Sequence, residues 1–149
     1  MDTTQSAAAG WKGGTPAPVR QASALPFRRR DGHLEFCVIT STAGRWGFPK
    51  GLIAPGESLV QTALKEALEE AGLHGQILGD PLGWYQITKR GRDMTVAVLL
   101  MNVTKCKRSW DEKDFRKRRW VTLDEAMQLL GWPQLKHCVA TAMSRIGER

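Results

Sequence analysis

Three glutamates within five consecutive positions have the clearest potential for chemistry in this sequence. Glu66, Glu69 and Glu70 stand three and four positions apart, so on a helix their side chains would share one face. Like charges at these spacings each cost about 0.2–0.5 kcal/mol, and only Lys65 stands beside them as a cation. Carboxylates are preferred ligands of hard divalent cations, which also bind phosphates. The spacing therefore favours a metal site over the plainer alternative of a solvated charged face.

The segment that carries these glutamates has the pattern of a helix over residues 59–71. Ser58 and Gln61 have the spacing of a capping box, and Gly72 is a helix-ending residue. The opposite face is apolar and is formed by Val60, Ala63, Leu64, Ala67, Leu68 and Ala71. We therefore expect one face of this helix in the core and the other bearing the carboxylates.

The loop before the helix is built for close approach to a ligand. Residues 46–57 read Trp-Gly-Phe-Pro-Lys-Gly-Leu-Ile-Ala-Pro-Gly-Glu, with three glycines and two prolines. This composition favours tight, rigid turns that bring backbone groups near a bound molecule. The loop and the helix together form the candidate site.

Residues 51–73 resemble the Nudix box, Gly-x5-Glu-x7-Arg-Glu-U-x-Glu-Glu-x-Gly-U, where U is a bulky aliphatic residue. The sequence departs from the pattern at Lys65, where the family has Arg, and at Ala67, the first aliphatic position. Neither change removes a carboxylate. The matching positions are Gly51, Glu57, Glu66, Glu69, Glu70, Gly72 and Leu73.

The resemblance implies a hydrolase that cleaves a diphosphate linked to a further group, using a divalent metal and an attacking water. It implies Mg²⁺ as the cofactor, with Mn²⁺ as an alternative. Glu66 and Glu70 are implied as metal ligands, joined by Glu69 and the backbone carbonyl of Lys50. We expect Glu69 to be the catalytic base, with Glu66 as its rival, because the family does not assign the base to one fixed position.

Four further residues are implied to shape the loop. In the family the box Arg pairs with the loop Glu, here Lys65 with Glu57, and the pair holds the loop on the helix. Lysine keeps the charge but not the bidentate fork of Arg, so we expect a less rigid attachment. Gly51 and Gly72 are the glycines that the loop and the helix end require.

The resemblance covers residues 19–130 and is closest to the diphosphoinositol polyphosphate and diadenosine polyphosphate hydrolases. It rests on Arg45-Trp46 and Pro49-Lys50-Gly51 before the box, Leu73-His74-Gly75 after it, and residues 110–112 and 116–120. It implies an α/β/α sandwich with a mixed β-sheet between helices, an α+β arrangement. We expect a small polyanionic substrate bound by Arg45, Lys50, Lys89, Arg90, Arg116 and Arg118.

Two other functions use the same features. One is removal of pyrophosphate from the 5′ end of RNA, which would need the same box and a basic surface. The other is a non-catalytic module that binds nucleotides or nucleic acid, for which the intact carboxylates are an argument against. The net charge of +7, from 22 Lys and Arg against 15 Asp and Glu, fits any polyanionic partner, nucleic acid included.

The 149 residues are enough for one domain. Residues 1–18 are rich in Ala, Gly, Thr and Pro without apolar periodicity, which predicts a flexible arm before a domain at 19–149.

Hairpins are predicted over residues 19–40, around Asp31-Gly32, and over 84–103. Pro26 either weakens the prediction of the first strand or places that strand at an edge. A strand at 120–121, a helix at 123–130 and a helix from Pro133 follow.

The sequence carries no signal for export or membrane insertion. No apolar run approaches the ~18 residues of a membrane span, and the N-terminus lacks the basic and apolar regions of a secretory signal. Three cysteines are an odd number without metal-binding spacing. We therefore expect a cytoplasmic protein with no membrane partner.

Overall fold

The structure, a computed structural model, describes residues 3–7 and 17–147. Its helices are α1 (Leu59–Ala71), α2 (Leu123–Leu129) and α3 (Pro133–Gly147). Its strands are β1 (Thr3–Ala7), β2 (Val19–Arg30), β3 (His33–Thr40), β4 (Trp46–Gly47), β5 (Lys50–Leu52), β6 (Leu73–Ile77), β7 (Gly83–Lys89), β8 (Arg92–Cys106) and β9 (Arg118–Val121).

The strands form one mixed sheet. Their order is β1-β7-β8-β2-β3-β4, with β5 beside β2, β6 beside β8 and β9 beside β3. The β2–β8 pair is parallel, and the other pairs are antiparallel. One core lies between the sheet and α2 and α3, and a second lies between the sheet and α1. The predicted α/β/α sandwich with a mixed sheet is confirmed.

Helix α1 packs on the sheet through a narrow stripe of alanines. Ala63, Ala67 and Ala71 are fully buried against small residues of β2 and β8, which lets the helix approach the sheet closely. Val60 was expected in this face but is 41% exposed, because it lies in the first turn, ahead of the alanines. Glu70 was expected on the exposed face but is only 7% exposed. Its burial places a carboxyl group at the edge of the core.

Local signals set the ends of α1 and the two hairpins as expected. Ser58 accepts from Gln61 N and donates its own N–H to the Gln61 side chain, and Gly72 ends the helix with φ 69°. The hairpin turns are Asp31-Gly32 and Arg90-Gly91, and all four residues have positive φ. Such two-residue turns match the twist of the strands that they join. Both predicted hairpins are confirmed, the second with a tighter turn than the sequence indicated.

Strand β2 runs unbroken over Val19–Arg30 and lies inside the sheet. Of the two alternatives predicted from Pro26, the edge position is wrong, and the strand itself is present. On one side β2 pairs with β8, and on the other with β5 and β3. Ala24 N donates to Pro49 O on that second side, so strand alternation places the Pro26 nitrogen there too. Pairing with β5 ends at Ser23, and pairing with β3 begins at Phe27. The missing N–H of Pro26 therefore falls in the gap between two partner strands.

The structure departs from the predicted flexible arm at its first described strand. Thr3–Ala7 pairs antiparallel with β7, because an edge strand offers unpaired N–H and C=O groups. Pro18 O accepts from Thr95 N at 2.9 Å, which attaches the end of the arm to β8. Residues 1–2 and 8–16 lie outside the described residues, so the division at residue 18 stays a prediction.

The C-terminal elements follow their predicted order. Thr122 and Glu125 form the expected capping box of α2, which ends at Leu129, one residue earlier than predicted. Helix α3 begins at Pro133, where a missing N–H costs no helical hydrogen bond. In the part of the chain that the structure describes, no helix is both long and apolar enough to cross a membrane.

Replacing Gly75 by alanine should destabilise the fold. Gly75 lies in β6 at the register shift against β8. A Cβ there would lie 3.0 Å from Asn102 C and from Val103 Cα, and backbone atoms cannot move aside. We expect the free energy of unfolding to fall by about 1–3 kcal/mol in urea titrations. Gly131→Ala is the control, since a Cβ at Gly131 meets nothing within 4 Å. Equal midpoints for the two variants would contradict this packing.

Candidate active site

The loop before α1 is fastened to the helix through Glu57. Lys65 Nζ lies 3.0 Å from both Glu57 carboxylate oxygens. Glu57 Oε1 also accepts from Thr62 Oγ1 at 2.9 Å and from Ala54 N at 3.1 Å. The hydrogen bonds from Lys65 and its neighbours lower the pKa of Glu57, and Glu57 raises the pKa of Lys65. The structure thus contains the implied Glu57–Lys65 pair, with two further donors that add to the attachment.

Gly51 leaves the space that Glu66 occupies. A Cβ at Gly51 would lie 2.5 and 2.6 Å from the two carboxylate oxygens of Glu66. The glycine is therefore required here for space and not for a positive φ. Lys65 Nζ stands 4.0 Å from Glu66 Oε2, so the Glu66 carboxylate lies between the loop backbone and the Glu57–Lys65 pair.

Glu70 is a buried carboxyl group beside that of Glu66. Its Oε1 accepts from Lys50 N at 3.1 Å, and its Oε2 lies 3.5 Å from Arg116 Nη2. Burial raises the pKa of Glu70 to about 8, and the adjacent Glu66 adds to the rise while Arg116 opposes it. A second cation near the two carboxyls would favour the charged form of both.

Lys50 presents its backbone and its side chain to different neighbours. Pro49 O bonds to β2, so strand alternation directs the N–H and C=O of Lys50 to the opposite edge of β5, where Glu70 lies. Lys50 Nζ donates to Gln21 Oε1 at 3.1 Å. Burial lowers the pKa of Lys50, and the nearby charge of Lys89 lowers it further. The charge of Lys89 thus acts on Lys50, and both are among the expected substrate-binding residues.

Glu69 lies on the outer side of this cluster. Burial raises the pKa of Glu69, and the Glu66 charge adds to the rise. In the part of the chain that the structure describes, no three His, Cys, Asp or Glu side chains are close enough to hold a metal as they stand. The donor set nevertheless fits a hard cation, because Glu66 and Glu70 offer carboxylate oxygens next to the outward edge of β5. Binding would draw these like charges together.

The segment 107–118 completes the site by satisfying the C-terminal carbonyls of α1, which have no partner within the helix. Trp110 Nε1 donates to Glu70 O at 2.9 Å, and Glu112 N donates to Glu69 O at 3.1 Å. Lys107 N donates to Gly72 O at 2.8 Å. These contacts hold in place the backbone that carries Glu69 and Glu70. Sequence reasoning missed these roles, since no periodicity or spacing links the two segments.

The expected substrate-binding arginines differ in their placement. Arg116 donates from Nε to Glu112 Oε1 at 2.7 Å and from Nη1 to Thr40 O at 2.9 Å, beside its contact with Glu70. Arg118 stacks on the Trp110 ring at 3.9 Å and donates to the carbonyls of residues 71 and 107. The structure therefore places Arg118 at the C-terminal end of α1, and its role in substrate binding stays a prediction. Arg45 and Arg90 are exposed.

A pocket of about 420 Å³ opens beside Arg116. Its walls are the loop at residues 40–46 and the turn at residues 113–117. Lys117 N donates to Thr40 Oγ1 at 2.9 Å, and Thr40 N donates to Lys117 O at 3.1 Å. These bonds join the two walls, so the pocket is formed before any ligand enters.

Metal affinity should rise with pH because of Glu70. Burial raises the pKa of Glu70 to about 8 in the metal-free protein, and a divalent cation binds the deprotonated form. We expect Mn²⁺ affinity, measured by calorimetry, to rise between pH 6 and 8 and to level off above. The Glu70→Gln variant should lose most of this slope. A wild-type affinity independent of pH over this range would contradict the role of Glu70.

Comparisons with known proteins identify the family. The NUDIX domain family model matches residues 18–142, and the chain therefore belongs to the Nudix family. It is 31% identical over 134 residues to bis(5′-nucleosyl)-tetraphosphatase (asymmetrical) of Sus scrofa. This alignment covers 79% of this chain and 88% of that protein. It is 31% identical over 117 residues to diphosphoinositol polyphosphate phosphohydrolase 3-alpha of Mus musculus, and this alignment covers 74% of this chain and 68% of that protein.

The fold agrees with that family. The crystal structure of an Ap4A hydrolase from C. elegans matches with a TM-score of 0.73 and 21% identity, covering 87% of this chain and 98% of that one. The chain spans about half the length of several Arabidopsis thaliana Nudix hydrolases that it matches. The two kinds of relative named by the resemblance, diadenosine and diphosphoinositol polyphosphate hydrolases, are both found.

Proposed function

We propose that this protein is a Mg²⁺-dependent hydrolase that cleaves a phosphoanhydride bond by attack of water. Its proposed substrates are dinucleoside polyphosphates or diphosphoinositol polyphosphates. The observation that carries the proposal is the Glu66–Glu70 pair of the Nudix box, a partly buried carboxyl beside a buried one, set against Gly51 and the outward edge of Lys50. Two adjacent carboxyls largely removed from water, without enough positive charge, are costly unless a cation joins them.

Each residue of the site has a proposed task. Glu66, Glu70 and the Lys50 carbonyl hold the metal, with Glu69 as a further ligand or as the base that takes the proton from water. Glu66 remains the rival base. When bound, Mg²⁺ would neutralise the charge that develops on the phosphate oxygens. The segment 107–118 keeps the end of α1, which carries Glu69 and Glu70, in a fixed position.

Positive charge on the sheet side of the loop favours a highly phosphorylated substrate. The ammonium groups of Lys50 and Lys89 lie close enough to lower the pKa of Lys50, so an anion between them would relieve their repulsion. Arg116 adds a third cation beside Glu70. Arg45 and Arg90 complete the proposed set from the rim, and Arg118 contributes through its place at the end of α1.

The proposal is tested by separating reaction products by anion-exchange chromatography. The protein is incubated with Mg²⁺ and a diadenosine polyphosphate, an inositol pyrophosphate, a nucleotide sugar or a triphosphorylated RNA, beside Glu69→Gln. Cleavage of the first two classes that is absent in the variant is the expected result. Cleavage of RNA alone would instead establish 5′-pyrophosphate removal, and binding without turnover would establish a non-catalytic module.

A cytoplasmic location belongs to the same proposal. The thiols of Cys37, Cys106 and Cys138 are all free, as is usual in a reducing compartment. Mn²⁺ is proposed as a substitute for Mg²⁺ because both take carboxylate oxygens.

A further inference from the structure

Phe115 is the most exposed of the large apolar side chains in the described part of the chain. It is 71% exposed, yet its backbone is held in consecutive turns, since Phe115 N and Arg116 N both donate to Glu112 O at 3.0 and 3.1 Å. An exposed phenyl ring on a rigid turn gains nothing for folding. It lines a cavity, where an aromatic ring can contact a bound molecule.

The phenyl ring belongs to the pocket between residues 40–46 and 113–117. Trp46 lines the opposite wall, where it packs against the core. Ser41, Thr42, Lys113 and Asp114 add polar residues to the lining. An aromatic wall with a few polar groups and a volume of about 420 Å³ is typical of a site for a planar, partly polar ring. We call this site the aromatic pocket.

The aromatic pocket lies next to the metal site. Arg116 lines the pocket, and its Nη2 stands 3.5 Å from Glu70 Oε2. A ligand with its ring in the pocket would therefore reach the carboxylates with groups attached a few bonds away. Phosphates are the groups that suit Arg116 and a bound cation.

We propose that the aromatic pocket binds the nucleobase of the substrate, with Phe115 as the residue that selects for it. This inference rests on the proposed function in that the base is taken to belong to a phosphoanhydride substrate. A nucleobase has a π face that stacks on phenylalanine. An inositol ring with phosphates on its carbons has none, so the pocket favours dinucleoside polyphosphates over diphosphoinositol polyphosphates.

The test compares binding of probes that the enzyme cannot cleave. Calorimetry with Mg²⁺ measures the affinity for α,β-methylene-ADP, for methylenediphosphonate, which lacks the nucleoside, and for inositol hexakisphosphate. The variants are Phe115→Ala, Phe115→Tyr, which keeps the aromatic face, and Val19→Ala as a control. Val19 is an exposed apolar residue of β2. The exposure of Phe115 means that folding should survive its replacement.

We expect Phe115→Ala to lower the affinity for α,β-methylene-ADP about tenfold, as expected when the stacking of a base on an aromatic ring is lost. The same variant should change the affinity for the other two probes less than twofold, and Phe115→Tyr should restore binding. Equal losses for all three probes, no loss for any, or a loss for inositol hexakisphosphate alone would overturn the inference.

Failure of this inference can be told apart from failure of the proposed function. If phosphoanhydrides are cleaved but Phe115→Ala does not change binding, the nucleobase pocket is contradicted and the proposed hydrolase activity is supported. If no substrate is cleaved but binding of α,β-methylene-ADP depends on Phe115, the proposed hydrolase activity is contradicted and the nucleobase pocket is supported.

Discussion

Glu70→Gln should lower Mg²⁺-dependent turnover by roughly 10²–10⁴-fold, the size expected when several kcal/mol of metal stabilisation is lost. Glutamine keeps the shape of the side chain and an oxygen for the Lys50 N–H, but it removes a charged ligand. The fold should persist, because burial raises the pKa of Glu70 to about 8. At neutral pH the metal-free protein therefore already accommodates a mostly neutral group at this position.

The measurement is initial rate against Mg²⁺ concentration, with Glu35→Gln as a matched control. Glu35 is a half-buried carboxylate paired with Arg28, outside the site, and its replacement should leave the rate unchanged. Turnover by Glu70→Gln equal to that of wild type would show that Glu70 holds no metal. Loss of metal affinity should accompany the loss of rate.

The same measurements on Glu69→Gln and Glu66→Gln distinguish the catalytic base from the metal ligands. If Glu69 is the base, Glu69→Gln should lower kcat by roughly 10²–10⁴-fold while Mn²⁺ affinity stays near that of wild type. Glu66→Gln should lower both. An active Glu69→Gln enzyme would transfer the role of base to Glu66.

Gly51→Ala should abolish most activity while leaving the fold nearly as stable. The added Cβ would lie 2.5 and 2.6 Å from the Glu66 carboxylate oxygens. The end of a flexible side chain can rotate away at little cost to folding. Displacing a metal ligand by an ångström, however, is expected to cost on the order of 10²-fold in rate.

Gly47→Ala is the control for Gly51→Ala, because it lies in the same loop and its Cβ would make ordinary contact with Leu135 Cδ1 at 3.8 Å. Urea midpoints and kcat/KM are measured for both variants. Gly51→Ala should lose rate with its midpoint almost unchanged, and Gly47→Ala should keep both. An active Gly51→Ala enzyme would show that Glu66 need not occupy the observed position.

The features that the sequence predicted well depend on local interactions. The bounds of α1 follow from Ser58, Gln61 and Gly72, whose partners all lie within one helical turn. The turn at Asp31-Gly32 follows from two residues that tolerate positive φ. Such signals act over a few residues and are readable without knowledge of the fold.

The features that it predicted poorly depend on partners distant in the chain. Pro26 was expected to weaken its strand or to place it at an edge, because the sequence does not show that β5 and β3 both pair with β2 and leave a gap between them. The burial of Glu70 depends on Arg116 and Lys50, neither of which lies in α1. The Nudix pattern identified the carboxylates, while the contacts that hold them became visible only in the structure.

The most direct test of a metal-dependent hydrolase at this site is a ³¹P NMR time course with diadenosine tetraphosphate and an inositol pyrophosphate. Wild-type protein is compared with Glu70→Gln, in Mg²⁺ and after addition of EDTA. Only wild type with Mg²⁺ should convert the substrate resonances into those of products that carry new terminal phosphates. Cleavage that persists in EDTA, or equally fast cleavage by Glu70→Gln, would contradict this prediction.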